Sequence, residues 1–295
     1  MDQVLQDFLV FLREEYRYSD NTVAAYRNDL TQFYEFLAGD RYSNIHSWSD
    51  VTPEVIDEYV DDLKNRDKPY AASSIARKVA AVKSFFNYLH SRNFISSNPT
   101  SNIDSPKVKK RLPKTLASDE IEYLLQAPQK GDTPKHLRDT ALLNMLYATG
   151  MRVTEVVSLQ IDDVSVEEEI MIIAVNEGED RNRQMALDDD MRFILDRYLA
   201  DGRPYLVKDP NETALFLNHR GHQLTRQGLW LIIKAYAREA DLKSEVTPHT
   251  LRHSFAAHKL DSGSDLEEVQ RLLGHANIST TQIYTQLEEE EVEAL

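Results

Sequence analysis

The chain of 295 residues is long enough for two domains of ordinary size, contains no cysteine and carries a formal net charge of −15. Disulfide frameworks, thiolate zinc sites and cysteine nucleophiles are thereby excluded together, and the absence of thiols fits a reducing compartment. No apolar run approaches the length needed to span a bilayer, and the start MDQVLQDFLVFLREE is acidic where a signal peptide is basic, so a soluble cytoplasmic protein without a membrane partner is expected.

The acidity is unevenly spread. Charges through Lys114 roughly balance, and the excess lies in the later two thirds, much of it in SVEEEI, LDDDM and LEEEEVEAL. A solvated acidic back face leaves room for a local basic cleft.

In chain order, the first hundred or so residues read as several amphipathic helices. Val23, Tyr26, Leu30, Phe33 and Leu37 recur at helical spacing in NTVAAYRNDLTQFYEFL, as do Ile75, Val79, Val82, Phe86 and Leu89 in SSIARKVAAVKSFFNYLHSRNFI. Arg77, Lys78 and Lys83 fall off that second apolar stripe, either as phosphate contacts or as ordinary solvent-facing charge. Next comes SSNPTSNIDSPKVKKRLPKTLASDEI, with three prolines and the cluster Lys107, Lys109, Lys110, Arg111 and Lys114. The organisation expected is an N-terminal unit over 1–105, a basic linker over 106–114 and a second unit over 115–295. A basic, extended connection suits a protein that wraps a duplex, because phosphate neutralisation supplies most non-specific affinity; a plain flexible tether would look similar.

Beyond the linker, Ser118, Glu120 and Ile121 open a helix, and HLRDTALLNMLYATG runs to a stop at Gly150. EIMIIAV and RQMAL flank NEGEDRN as a hairpin. The remainder is helical, with SDLEEVQRLLG capped at Ser264 and ended at Gly274. The fold class is mainly α with a small β-sheet in the later unit.

The stretch VTPHTLRHSFAAHKLDSG concentrates chemistry. Thr247 and Pro248 read as an N-cap and first helical residue and Gly263 as a stop. Leu251 and Phe255 face the core, while His249, Arg252 and His253 can address one target. His249 and His253 at i, i+4 suit zinc, but no acidic partner stands between them. An anion site is better supported, because Arg152 in ATGMRVTEVVSL follows a glycine turn at the start of another helix, and two guanidiniums with a helix N-terminus clamp a phosphate. Farther on, LLGHANISTTQIYTQL sets His275 in a turn and Ser279 as a cap. Ile283 takes the core-facing place and leaves the Tyr284 phenol to point sideways into a cleft.

TGMRVTE, HTLRHSFAAH and LGHANISTTQIYTQ, in that order and with those separations, resemble the signature segments of the tyrosine site-specific recombinases, specifically the Xer-like branch of this phage integrase-like family. The linker resembles that branch too, and the similarity spans nearly the whole chain. It implies a clamp around double-stranded DNA, made of an N-terminal helical core-binding domain and a mostly helical catalytic domain. Tyr284 would attack the scissile phosphodiester to give a 3′-phosphotyrosyl link and a free 5′-hydroxyl. Arg152 and Arg252 would hold the non-bridging oxygens, His249 would accept the phenolic proton, and His275 would donate a further hydrogen bond. The implied assembly is a homotetramer or heterotetramer on two synapsed sites, with a second recombinase and a DNA translocase as partners and dimer resolution of chromosomes or plasmids as the task.

The residue types agree with that chemistry. A phenol with a pKa near 10 needs a base or a strongly positive site, and fixed arginines stabilise the charge gathered in a phosphorane-like transition state. No metal and no cofactor is expected, since the covalent link conserves the phosphodiester energy and no glycine loop for a nucleotide phosphate is present.

One departure stands out. The family places a lysine in the hairpin, in a glycine-lysine-glycine turn, to protonate the departing 5′-oxygen. Here the segment reads AVNEGEDRNRQMAL, with Glu177 in that place if Gly178 is the aligned glycine. Three explanations are open: Arg181 or Arg183 stabilises the leaving oxygen electrostatically, although arginine is a poor proton donor; a lysine from elsewhere supplies the proton; or the protein binds DNA without cutting efficiently. The rival readings are thus a catalytically impaired DNA-binding paralogue and a metal-dependent hydrolase built on the histidines. The acidic end EEEEVEAL also differs from the basic helix that docks on a neighbouring subunit in the family.

Overall fold

The computed structural model describes residues 2–103, 113–167, 170–176 and 182–274, together with Thr281 and Tyr284. The chain divides into two compact units, Met1–Lys110 and Arg111–Leu295.

The first unit is helical: α1 (Asp2–Glu14), α2 (Asp20–Leu37), α3 (Pro53–Asn65) and α4 (Ala72–Ser91). Ser19 caps α2 by accepting from the Thr22 amide, and Pro53 occupies the first turn of α3, where its missing N–H costs nothing. The predicted stripes point inward: Val23, Leu30, Phe33 and Leu37 of α2 and Ile75, Val79, Val82, Phe86 and Leu89 of α4 are buried. Phe8 and Leu12 of α1 and Leu63 of α3 complete this core, and Trp48 lies edge-on to Phe85 at 4.8 Å. Each such side chain, fully buried, contributes about 1.5–3 kcal/mol.

Lys78 departs from its predicted place. It is 1% exposed, donates to Asp29 Oδ1 at 2.9 Å and to Gln32 Oε1 at 2.7 Å, and lies 4.8 Å from the centre of the Tyr70 ring. The amphipathic pattern gave no sign of this, because the acidic partner sits on another helix. Lys78 therefore faces inward and is not presented to a phosphate. Arg77 is half exposed and pairs with the other Asp29 oxygen, while Lys83 donates to the Ile103 carbonyl at 2.8 Å. Removing one member of a buried pair strands the other, so Asp29→Ala should lower unfolding stability by about 3 kcal/mol, the low end for such pairs because Gln32 still accepts from Lys78. Urea denaturation checks it, and an unchanged midpoint would show that the pair contributes nothing.

The second unit contains α5 (Ser118–Gln126), α6 (Pro134–Thr149), α7 (Val153–Ser158), a sheet of β1 (Val164–Glu167), β2 (Ile170–Asn176) and β3 (Asn182–Leu187), then α8 (Asp189–Arg197). A π-helical turn, Tyr198–Gly202, leads into α9 (Arg203–Leu206), followed by α10 (Arg226–Glu239), α11 (Pro248–Asp261) and α12 (Leu266–Leu273). Helix α6 is apolar on several sides: Ala141, Leu142, Leu143, Met145 and Leu146 are all buried, so neighbouring helices pack around it. It contacts α5, α7, α8 and α11. The sheet is antiparallel in the order β1-β2-β3, with Met171 opposite Leu187 and Ile173 opposite Met185. Alternation turns Met171, Ile173 and Val175 inward. β1, which holds part of the acidic SVEEEI block, is a strand that charge patterning concealed.

Two helix ends shape the surroundings of Arg152 and Arg252. Gly150 closes α6 at φ +59° and Gly274 closes α12 at φ +65°, the left-handed conformation in which glycine carries no steric penalty. α12 begins one residue later than predicted, with Asp265 rather than Ser264 as its cap, because the Asp265 carboxylate accepts from the Glu268 amide at 2.6 Å. Among the described residues no helix is long and apolar enough to cross a membrane.

Candidate active site

Helix α11 brings most of the site. Thr247 caps it by accepting from the Thr250 amide, Pro248 occupies its first turn, and Leu251 and Phe255 anchor it in the core. That anchoring turns Arg252 toward the ends of α6 and α12. Its guanidinium donates to the Gly150 carbonyl at 2.5 Å and to the Leu273 carbonyl at 2.6 Å. Both acceptors are the negative ends of helices, which suits a cation that is only 6% exposed. Burial, and next the neighbouring Arg152, push the Arg252 pKa down to about 10, so it stays charged at neutral pH.

Arg152 is the N-cap residue of α7. Its amide donates to Glu155 Oε2 at 2.6 Å, and its side chain donates to Glu155 Oε1 at 2.9 Å and to the Gly274 carbonyl at 2.8 Å. Its side chain retains 34% exposure, whereas that of Glu155 keeps 3%. Arg183 of β3 reaches the same carboxylate with both terminal nitrogens, at 3.0 and 2.9 Å. A side chain on Gly274 would begin 2.7 Å from the Arg183 guanidinium, and one on Gly150 would begin 2.3 Å from the Phe255 ring. Both glycines thus permit close packing as well as the turn.

Tyr284 is 2% exposed and packs among Phe255, Ala256, Val269 and Leu273. The phenol predicted to point into a cleft is instead buried in this arrangement, because Phe255, Ala256, Val269 and Leu273 pack with its ring. Its hydroxyl lies 2.6 Å from His253 Nδ1, with ring centres 5.5 Å apart. Burial raises the Tyr284 pKa, and the Arg252 charge acts the other way. Burial, followed by His249 and Arg252, pushes the His253 pKa down to about 4, so the imidazole is neutral at neutral pH. The exposed His249 stacks on His253 at 6.3 Å between ring centres, one turn away from the phenol.

The structure therefore gathers Arg152, Arg252 and Tyr284 around Gly150 and the Leu273–Gly274 turn, with His249 at the rim. His275, Lys107, Lys109, Lys110, Arg111, Glu177, Gly178 and Arg181 lie outside the described residues. Glu155 beneath Arg152 was not singled out as a site residue, while His253, read only as one of three side chains sharing a target, lies on the phenol, and Arg183, read as a candidate for the leaving oxygen, lies on Glu155. Glu155, three residues after the arginine at a helix start, carried a capping signal that was legible in TGMRVTE.

Comparison with known proteins decides the family. The Phage integrase family profile matches residues 114–291, and that of the Phage integrase, N-terminal SAM-like domain, matches residues 5–93. The chain belongs to the phage integrase family. It is a tyrosine recombinase of the Xer type, an enzyme of site-specific recombination, and its mostly helical fold with a small sheet is that of the family. The recombinase is 47% identical to the tyrosine recombinase XerC of Roseiflexus castenholzii over 98% of this chain and 90% of that protein. It is 41% identical to the XerD of Halalkalibacterium halodurans over 95% and 92% of the two chains. Its fold matches the XerH recombinase in a post-cleavage complex with palindromic difH DNA at TM-score 0.78 and 23% identity, over 98% of this chain and 82% of that one.

Proposed function

We propose that this recombinase cuts and rejoins double-stranded DNA through Tyr284. The observation that carries the reading is the convergence of two arginines and one tyrosine on the turns at Gly150 and Gly274. The phenolic oxygen attacks the scissile phosphorus, the bond to the 5′-oxygen breaks, and a 3′-phosphotyrosyl link remains. The phenolic proton passes to a histidine, with His249 in that role, and the 5′-oxygen takes up a proton as it leaves. Arg152 and Arg252 hold the non-bridging oxygens, and His275 donates a further hydrogen bond. Because Arg252 is fixed by two carbonyls before substrate arrives, little reorganisation is left for the transition state.

A phenol at 2% exposure cannot meet a duplex phosphate where it lies. Attack therefore requires Tyr284 to leave His253 and its apolar pocket.

The XerH neighbour is described bound to a palindromic site, and a lambda integrase neighbour as a tetramer on a Holliday junction. By extension this enzyme works as a tetramer on two synapsed duplexes, alone or with a second recombinase and a DNA translocase, resolving chromosome or plasmid dimers in the cytoplasm. The test is a nicked suicide duplex carrying the target site: a covalent protein–DNA adduct is expected. Duplex binding without adduct would overturn the cutting role.

The basic linker carries a separate expectation. Affinity should fall steeply with salt, and the pair Lys109→Ala with Lys110→Ala should flatten the log–log slope by roughly one to two units, measured by fluorescence anisotropy. An unchanged slope would make these lysines a tether only.

A further inference from the structure

We infer that Arg183 is a positioning residue for the phosphate clamp: it holds Glu155 from both carboxylate oxygens so that Arg152 keeps its charge for the scissile phosphate. The inference rests on the proposed role of Arg152, and it links Arg183, acting through Glu155 and Arg152, to the non-bridging oxygens of the phosphate and not to the departing 5′-oxygen.

Glu155 sits 3% exposed directly beneath Arg152. Alone with Arg152, it would form a one-to-one ion pair whose net charge is zero, and a phosphate would have to compete with a buried carboxylate for that guanidinium. Arg183 changes the sum. With its two terminal nitrogens at 3.0 and 2.9 Å from the two oxygens, the Arg152–Glu155–Arg183 group carries a net charge of about +1. The Arg152 side chain can then remain 34% exposed, with one nitrogen on Glu155 and another on the Gly274 carbonyl.

The geometry is specific to arginine. The guanidinium presents a planar fork to the carboxylate, and it packs against Gly274, where any side chain would begin 2.7 Å from it. Arg183 lies at the start of β3, opposite Val175 of β2, so the strand fixes its backbone while its side chain reaches α7 and the end of α12. A lysine would supply charge without the fork. The charge of Arg183 also acts weakly on Arg252, as the smallest of the neighbouring influences on that guanidinium.

The test compares three substrates bearing the same site: the natural phosphodiester, one with sulfur at the 5′-bridging position, and one with a neutral methylphosphonate at the scissile position. Arg183→Met should slow cleavage of the natural substrate by about 10–10²-fold, toward the low end of what removal of a direct transition-state donor costs. The same defect should persist with the sulfur substrate and shrink to less than about threefold with methylphosphonate, which has no anionic oxygen for the clamp to balance. In an Arg152→Ala background, Arg183→Met should add less than about threefold, since the two act as one unit. Glu155→Gln should likewise relieve most of the Arg183→Met defect, because no buried charge then needs holding. Arg183→Lys, which keeps charge and is the milder change for folding, should fall between wild type and Arg183→Met on the natural substrate.

A defect that vanishes with sulfur would overturn the inference and make Arg183 the leaving-group residue. Equal defects on all three substrates, or additivity with Arg152→Ala, would reduce it to a structural contact. An unmutated enzyme that forms no adduct would instead sink the proposed role of Tyr284, so the two failures are distinct.

Discussion

Tyr284→Phe should abolish the covalent adduct on a suicide duplex while leaving duplex affinity within about twofold of the unmutated protein. The substitution deletes one oxygen, the nucleophile of the proposed reaction, and no other tyrosine stands in the matching segment. Phenylalanine keeps the ring packed among Phe255, Ala256, Val269 and Leu273, so folding should survive. The lost contact is the hydroxyl's hydrogen bond to His253, worth about 0.5–1.5 kcal/mol. Denaturing electrophoresis of the trapped reaction reads the outcome directly. Adduct formed by the Phe variant would mean that another side chain attacks, and the assignment of Tyr284 would fall.

The second large effect concerns the leaving oxygen. If Gly178 is the aligned glycine, Glu177 stands where the family has its lysine, the 5′-oxygen departs with less proton assistance, and loss of a positioned acid slows such steps by about 10²–10⁴-fold. Sulfur at the bridging position leaves without a proton. The unmutated enzyme should therefore cleave the sulfur substrate faster than the oxygen one by a factor of that order, and Glu177→Lys should accelerate the oxygen substrate while barely changing the sulfur one. Single-turnover rates on both substrates decide it. Similar rates for the two in the unmutated protein would show that another residue already supplies the proton. Arg183, which spreads its fork across Glu155, is held away from that task, which leaves Arg181 or a lysine from elsewhere.

How much was legible depends on how local each signal is. The stripes of α2 and α4, the Thr247–Pro248 start of α11 and the left-handed stops at Gly150 and Gly274 come from spacing and backbone preference within a few residues. They stand in the structure as read. Ser264 gave way to Asp265 because two adjacent cap formers compete and a carboxylate is the better acceptor for a helix amide. Lys78 misled because a lone charge beside an apolar stripe looks solvent-facing until a partner from another helix is known.

By itself the sequence determined the helical character of both units, the hairpin strands, the cysteine-free chemistry and the motif residues Arg152, Arg252 and Tyr284, since each is written in local periodicity or in short segments of fixed order. Only the tertiary structure decided that Arg252 is seated on the carbonyl ends of two helices, that Tyr284 lies buried on His253 with His249 one turn away, and that Glu155 is shared by Arg152 and Arg183. The physical reason is that hydrogen bonds and ion pairs joining residues from 21 to 122 positions apart depend on how helices and strands pack. No local spacing in the chain encodes those distances.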